Sequence, residues 1–492
     1  MALETEIKLA LSPATAKRLP SHPTLANLPP QRLQLTNTYY DTPDRRLQKK
    51  RLAMRFRKKD ADWLLTVKRD AAAPGGLAQR SEWEVPAQPG QFDFSHVDSP
   101  KIRRFLEELR GELVPWFTTD FTRDRWLLTP RKGARVEVAL DRGKITAGKR
   151  QETISEVELE LLEGELGDLF QVALALQHNL TLHPQADSKA ERGYRLATGS
   201  TLASAKASAA VIEAGDTALA TYRKTVFASL AQLQGNERGL RETDAPEYVH
   251  QARIAIRRLR TAIRVWQPLL PSQYRRDFNP RWRQLAAMLG DTRNWDVFVD
   301  EILPPLLKTF PQHPDLPPLH QRAGERRASA RKAAVASITS REYSHLLLEF
   351  TAATLALSER RQPTLLKFAP RSLEKCARRA STLAHRTRDV DPTVRHDLRV
   401  ALKRLHDALD FFAPLLPAPD LARYLERVTR LLDLLGSLND LVVAEQLVVA
   451  TGDDPPGDLL RGWLAGRNDL LLGELDDRLA DFLGSPAPWR RN

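Results

Sequence analysis

The sequence predicts an α+β protein of two domains: a strand-built part over residues 1–200 and a helical part over residues 216–492, joined by a linker at 201–215. Three observations predict this. The hydrophobic period is close to two in the first part and close to 3.6 in the second. Between Thr198 and Asp216 the composition shifts to Ala, Ser, Thr and Gly, as at a junction. Within the helical part, a block recurs at a fixed offset, the mark of duplication. A chain of 492 residues also exceeds what one hydrophobic core usually holds.

The first strand carries the pattern the rest repeats. Side chains alternate faces along a strand, so Glu4, Glu6 and Lys8 share one face and Leu3, Thr5, Ile7 and Leu9 the other. Two carboxylates about 7 Å apart can share a divalent cation, and a neighbouring lysine can hold an anion that the cation also touches. Pro20 to Pro30 reads as loop, and Tyr39-Tyr40-Asp41-Thr42-Pro43 as a turn closing the next strand. Arg55 and Arg57 then oppose Met54 and Phe56, and Lys68 and Thr66 oppose Leu65 and Val67. Arg80, Glu82 and Glu84 oppose Trp83 and Val85, and Arg123 and Arg125 fall two apart. Glu137 and Asp141 oppose Val136, Val138 and Leu140, and Glu156, Glu158 and Glu160 oppose Val157, Leu159 and Leu161. That makes about eight strands, most with charge on one face and apolar residues on the other. Closing such a sheet would put the charged face inside a tunnel and remove both edges. An open sheet with a solvated charged face is the alternative.

The net charge of +13 points to polyanionic partners: nucleic acid, nucleotides, phosphates or an anionic surface. The single cysteine, Cys376, excludes an intrachain disulfide and any Cys-X-X-Cys motif. The opening Met-Ala-Leu-Glu-Thr-Glu has no basic flank or apolar run, and no stretch is apolar and long enough to span a bilayer, so a cytoplasmic protein is expected. His22, His96, His178 and His183 fall in loops or at helix ends and are expected at the surface. No histidine, serine or cysteine of this part is spaced as a nucleophile with its base. Phosphoryl transfer asks instead for positioning and charge neutralisation.

Glu4-x-Glu6-x-Lys8, Arg55-x-Arg57, Thr66-x-Lys68, Arg123-x-Arg125, Glu156-x-Glu158 and Ser188-Lys189-Ala190-x-Arg192-Gly193-Tyr194 follow one another in the order found in CYTH domains, the triphosphate tunnel metalloenzymes. The first 200 residues resemble that family. The resemblance implies an eight-stranded antiparallel β-tunnel that binds a triphosphate. It implies that Glu4, Glu6, Glu156 and Glu158 hold Mg²⁺ or Mn²⁺, and that Lys8, Arg55, Arg57, Lys68, Arg123, Arg125 and Lys189 hold phosphate oxygens. Glu4, Glu6 and Lys8 would be the catalytic set. Glu156, Glu158 and Glu160 share one phase, so which two reach the metal stays open.

In the helical part, the segment from His250 through Arg253, Arg257, Arg258 and Arg260 recurs 146 residues later from His396 through Arg399, Lys403, Arg404 and His406. Pro268-Leu-Leu-Pro271 recurs as Pro414-Leu-Leu-Pro417, and Leu289-Gly290 as Leu435-Gly436. At about 100° per residue, His250, Arg253, Arg257, Arg260 and Arg264 fall within an arc of about 80°, with Ile256, Leu259, Ile263 and Trp266 roughly opposite. Solvated helix faces usually mix signs, because like charges four apart repel. An all-positive stripe therefore suits an extended polyanion. The second copy carries His396, Arg399, Lys403 and His406, but Asp410 where Arg264 maps, so its field is expected to be weaker there. Residues 210–492 resemble the CHAD domain, an all-α module of two pseudo-repeated four-helix bundles that binds inorganic polyphosphate. Its Leu-Gly-x-x-Arg-Asp-x-Asp-Val loop stands here as Leu289 to Val297, with Asn294 in place of the usual acid.

A CYTH domain followed by a CHAD domain is a bacterial arrangement, and the resemblance implies hydrolysis of inorganic triphosphate to pyrophosphate and phosphate. The competing readings are a hydrolase or cyclase acting on thiamine triphosphate or ATP, and a non-catalytic protein binding polyanions or nucleic acid. No aromatic-interleaved RNA motif or zinc-finger spacing supports nucleic acid as partner. Association with polyphosphate granules is a further expectation. Oligomeric state and membrane association find no signal in the sequence.

Overall fold

The computed structural model describes residues 2–59, 62–69, 74–208, 210–213, 215–358, 363–387, 391–450 and 457–490; positions 209 and 214 of the expected linker lie outside the described residues. The chain forms two compact units. One comprises Met1–Ala203 with Thr339–Ala356, the other Ser204–Ile338 with Leu357–Asn492.

Eight long strands build the barrel of the first unit: β1 (Ala2–Ala10), β2 (Gln31–Asp41), β3 (Leu52–Lys59), β4 (Asp62–Arg69), β5 (Leu77–Pro86), β6 (Val114–Leu128), β7 (Arg135–Ala147) and β8 (Arg150–Glu163). They pair antiparallel in the order β5-β4-β3-β2-β6-β7-β8-β1, and β1 closes the ring by pairing with β5 as well. The longer helices, in chain order, are α1 (Pro100–Leu109), α2 (Leu166–Gln177), α3 (Lys189–Thr198), α4 (Ala218–Glu242), α5 (Pro246–Val265), α6 (Ser272–Val297) and α7 (Leu316–Ile338). They continue as α8 (Arg341–Leu355), α9 (Leu365–Arg386), α10 (Pro392–Phe412), α11 (Ala418–Ala450), α12 (Gly457–Leu472) and α13 (Leu475–Leu483).

The barrel turns its apolar face outward, where helices cover it. Ile7, Leu9, Val136, Val138, Leu140, Val157 and Leu159 form one core with Leu169, Val172, Ala173 and Leu176 of α2. Met54, Phe56, Leu65 and Val67 form another with Phe94, Val97 and, from α1, Leu106 and Leu109. The charged positions alternate with these and so face the lumen.

The sequence assigns α8 to the second domain, within 216–492; the compact unit that holds it is the first. Its Leu348 is fully buried in the core under α2, with Ala352 and Leu355 packed beside it. Gln177 Nε2 donates to Leu182 O at 2.7 Å and to Ser344 O at 3.2 Å, and His183 Nδ1 lies 3.0 Å from Ser344 Oγ. Gly75 explains a close approach: at φ +69°, a Cβ there would stand 2.0 Å from Thr351 Oγ1.

The second unit carries the duplication in its packing. Ile256, Leu259, Ile263 and Trp266 of the α5 segment are buried, and so are Leu402, Leu405, Leu409 and Phe412, the residues 146 positions on. The rings of Trp266 and Phe412 lie 5.1 Å apart, so the two repeats meet at equivalent positions. Four long helices, α4 to α7, form the first half, and α9 to α12 with the shorter α13 form the second. Leu289 to Val297, expected as a loop, runs inside α6. The linker is partly tied down: Asn236 Nδ2 donates to Ala205 O at 2.8 Å, and Ala205 N donates to Asn236 Oδ1 at 3.1 Å.

Burying a leucine and then emptying its site costs about 2–5 kcal/mol, depending on how far the core relaxes. Leu348→Ala is therefore expected to lower the unfolding free energy of the barrel unit by about that much, read in urea melts of the full chain. A fragment ending at residue 203 lacks α8 altogether, and its barrel is expected to melt earlier still.

Candidate functional site

Strand register assembles the lumen. Lys8 stands opposite Glu158, and Glu6 opposite Glu160, across β1 and β8. Glu160 also stands opposite Glu137, and Asp141 opposite Glu156, across β7 and β8. Lys68 faces Glu82 across β4 and β5, and Arg123 faces Asp141 across β6 and β7. The result is a cavity of about 850 Å³ whose walls carry Glu4, Glu6, Lys8, Arg55, Arg57, Lys68, Arg80, Arg123, Arg125, Glu158, Glu160 and Lys189, among others.

One motif places the last of these. Ser188 caps α3: its Oγ accepts from Glu191 N at 3.1 Å, while Glu191 accepts from Ser188 N at 2.7 Å. That turn sends Lys189 into the lumen, where Nζ reaches Asp141 at 2.7 Å and Glu158 at 2.9 Å and bonds Glu156 as well. Arg192 binds Glu152 and Glu156, each at 2.7 Å. Tyr194 Oη donates to buried Asp41 at 2.9 Å. Gly193 lies under Phe117, whose ring a Cβ would meet at 2.1 Å.

The lumen cations are held by carboxylates. Arg123 forms a two-point contact with Asp141, both bonds 2.7 Å, and also bonds Glu158. Lys68 Nζ bonds Glu4 at 2.8 Å and lies 3.0 Å from Glu82. Arg57 bonds Asn37 at 3.1 Å and lies 3.6 Å from Glu84, while Arg55 bonds Tyr39 Oη at 3.1 Å. Arg125 lies 3.2 Å from Glu137. Burial alone would raise Glu158, but Lys189, Arg123 and Lys8 hold its carboxyl well below the usual range. Burial would lower Lys8, Lys68 and Lys189, yet their carboxylate neighbours keep all three above the usual lysine value.

One wall is different. Glu160 is pushed up to about 7, by burial first and then by Glu4 and Glu137. Burial also raises Glu137. Glu160, crowded by Glu4 and Glu137, joins carboxylates that lumen cations already hold, and together they make a donor set of hard oxygens that suits a divalent cation. Glu4, Glu6, Glu158 and Glu160 all line the cavity. Glu156 does not: it is 1% exposed and engaged by Lys189 and Arg192. Glu156 lies within ligand distance of Asp141 and Glu158, but the Lys189 ammonium already binds all three. Glu160 thus stands at the cavity where the resemblance had Glu156. The reason is depth: four residues back along β8, the same phase points at Lys189 and Arg192 of α3 rather than at open lumen.

Sequence reasoning did not single out Arg80, Glu82, Glu84 and Glu137, which line the cavity from β5 and β7, strands that hold none of the chosen residues. His96, expected at the surface, also lines the cavity, beside Trp83 and Asp98. His22 is buried rather than exposed, and its Nδ1 accepts from Thr24 N at 3.2 Å.

The helical unit brings a second set together. Arg253 and Arg257 of α5 meet Arg399 and Lys403 of α10, with Arg293 of α6 beside them and Asp440 of α11 the nearby acid. Burial, then Arg293 and Arg399, pushes Arg253 down to about 10. Burial, then Arg399, Arg257 and Arg253, pushes Lys403 down to about 7. Arg257 is the exception, bonded to Asp407 at 2.9 and 3.2 Å. His250 is lowered by burial and by Arg293, and exposed His396 lies 3.1 Å from Asn439. Arg260, Arg264 and His406 lie farther along the same helices.

A closed barrel with a charged lumen and a duplicated helical bundle with a cationic seam define a two-domain protein. Residues 2–194 match the CYTH domain family and residues 224–449 the CHAD domain family, so the chain carries a CYTH domain followed by a CHAD domain. Over 199 residues it is 37% identical to an inorganic triphosphatase of Haemophilus influenzae, a match taking in 40% of this chain and 55% of that relative. The chain thus spans about half the length of that curated relative. The CHAD domain from the plant Ricinus communis superposes with a TM-score of 0.52 at 26% identity, over 58% of this chain and 98% of that one. Among the described residues, no helix is long and apolar enough to cross a membrane.

Lys189 neutralises three carboxylates at once, so removing it leaves buried negative charge uncompensated, at a cost of about 3–5 kcal/mol. Lys189→Met is expected to destabilise the barrel unit by that order at pH 7. A carboxyl depressed in the fold, such as Glu158, contributes stability above its unfolded pKa and loses it as pH falls through the folded value. The gap between variant and parent should therefore shrink in melts run below about pH 4.

Proposed function

We propose that the barrel hydrolyses inorganic triphosphate to pyrophosphate and phosphate with the help of Mg²⁺ or Mn²⁺, and that the helical domain binds inorganic polyphosphate. The observation that carries the first part is the layout of the lumen, with cations drawn from five strands and α3 on most walls and crowded carboxylates on one. A triphosphate entering it would take over the partners that Glu82, Glu84 and Glu4 now supply to Lys68, Arg55 and Arg57. The arginines offer fixed forks to equatorial oxygens, and the lysines act as point charges. Glu4, Glu6, Glu158 and Glu160 would hold the divalent cation, which would neutralise the phosphate chain and lower the pKa of the attacking water. The Ser188 hydroxyl serves as a helix cap, which favours direct attack of water on the terminal phosphorus over a phosphoenzyme. The relative from Haemophilus influenzae supports inorganic triphosphate as the substrate. A cytoplasmic protein working at polyphosphate granules fits this reading.

Phosphate release measured with triphosphate, pyrophosphate, ATP and thiamine triphosphate tests it. Triphosphate is expected to turn over fastest, and only with a divalent cation present. Glu4→Gln and Glu6→Gln should each lower kcat by about a hundredfold or more while leaving the barrel folded. Faster release from ATP or thiamine triphosphate would reassign the substrate to an organic triphosphate.

The polyphosphate reading makes a prediction about pH. Lys403 faces Arg399 on its own helix, Arg253 and Arg257 on α5, and Asp440 on α11. Its ammonium, held near 7 in the free protein, would be favoured by a bound polyanion, so binding takes up a proton above pH 7. Affinity for polyphosphate should fall several-fold between about pH 6.5 and 8.5 at fixed salt. Lys403→Met should bind more weakly at pH 6.5 and lose most of that dependence, as isothermal titration in two buffers would read.

A further inference from the structure

The two repeats are equivalent in fold but not in charge on their two flanks. The helices α5 and α10 run parallel, with Thr261 bonded to Asp407 and Trp266 against Phe412. On one flank of the pair stand Arg260 and Arg264 of α5, Arg283 of α6, Arg379 of α9 and Arg404 of α10. Arg264 and Arg283 act on Arg260, while Arg264, Arg379 and Arg260 act on Arg404, so the five share one neighbourhood. Among the described residues, none of the five forms an ion pair, and the buried Nε of Arg260 has no partner. The 146-residue offset maps Arg260 onto His406, Arg264 onto Asp410, Arg283 onto Thr429 and Arg404 back onto Arg258. That opposite flank is neutral within itself: Arg258 bonds Asp410 at 2.9 Å and lies over the ring of Phe411, and His406 stands 3.6 Å from Asp410.

Unpaired arginines gathered from four helices are costly unless an anion joins them. Arg264 lies seven residues beyond Arg257, about 10 Å along α5, a span that extends the central cluster without a break in sign. We propose that Arg260, Arg264, Arg283, Arg379 and Arg404 form a phosphate-binding subsite continuing the polyanion track along one flank of the α5–α10 pair only, so that a polyphosphate chain lies off-centre across the duplicated helices. The Arg258–Asp410 pair closes the other flank. This rests on the polyphosphate reading above and adds to it a direction. The broken symmetry comes from Asp410, whose side chain pairs with the arginine that would otherwise receive a phosphate.

Binding of fluorescently labelled polyphosphate to the full chain, measured over a range of salt, tests both. Arg260→Gln with Arg264→Gln is expected to weaken binding about tenfold and to flatten the salt dependence, since fewer counterions are released. His406→Gln with Asp410→Asn, the matching pair, is expected to leave affinity within about twofold or to tighten it. These positions are exposed or half-buried, and circular dichroism confirms that each variant folds. Equal losses from the two pairs, or no loss from the first, would overturn the one-sided track. Arg399→Gln with Lys403→Gln separates the two ideas. If that variant alone loses affinity, the subsite is wrong and the polyphosphate reading stands; if none of the three does, the polyphosphate reading itself fails.

Discussion

A closed barrel with charge on its inner face must compensate that charge within a confined lumen. This constraint organises the first unit. Lys8, Lys68, Arg123 and Lys189 each face a carboxylate, and strand register supplies the pairings. The same pairings make the lumen receptive, because every carboxylate partner can be exchanged for a phosphate oxygen with no change in the sign of the contact. Ion pairs of this kind contribute little net stability. Stability comes from the outer surface, where α1, α2 and α8 bury the apolar face. Chemistry and cohesion thus sit on opposite faces of one sheet.

The helical unit treats its cations differently. Arg253, Arg399 and Lys403 gather with Asp440 as the nearby acid, and burial and mutual repulsion lower all three. In the barrel, by contrast, neighbouring carboxylates raise the lysines. The barrel lumen therefore keeps its counter-charges within itself, while the helical cluster holds more cations than acids. On the proposed function, the first arrangement suits a compact substrate that must be oriented and released, and the second a long polyanion held by many weak contacts, with affinity governed by salt.

Much of this was legible in the sequence. Period-two alternation located the strands because one face is apolar throughout, and the ordered motifs identified the tunnel. The 146-residue repeat located the seam, since Ile256, Leu259 and Trp266 keep their buried partners in the second copy. What escaped was set by depth and by distance along the chain. Glu156 and Glu160 share a phase, and only the position of α3 decides which one meets open lumen. Arg80, Glu82, Glu84 and Glu137 carried the right phase but belonged to no motif. His96 reaches the cavity from a loop, where alternation gives no guidance. The docking of α8 was invisible because its helical period matches that of its neighbours in sequence.

That docking bears on the order in which the protein is made. Strands β1 to β8 and helices α1 to α3 leave the ribosome long before residue 355. At about 5–20 residues per second, the gap is on the order of ten seconds. Through that interval the core beneath α2 lacks Leu348, and the nascent barrel presents an apolar surface where the helix will sit. Synthesis of the first unit therefore finishes only when much of the second has emerged, and a nascent-chain chaperone would find its target in that gap.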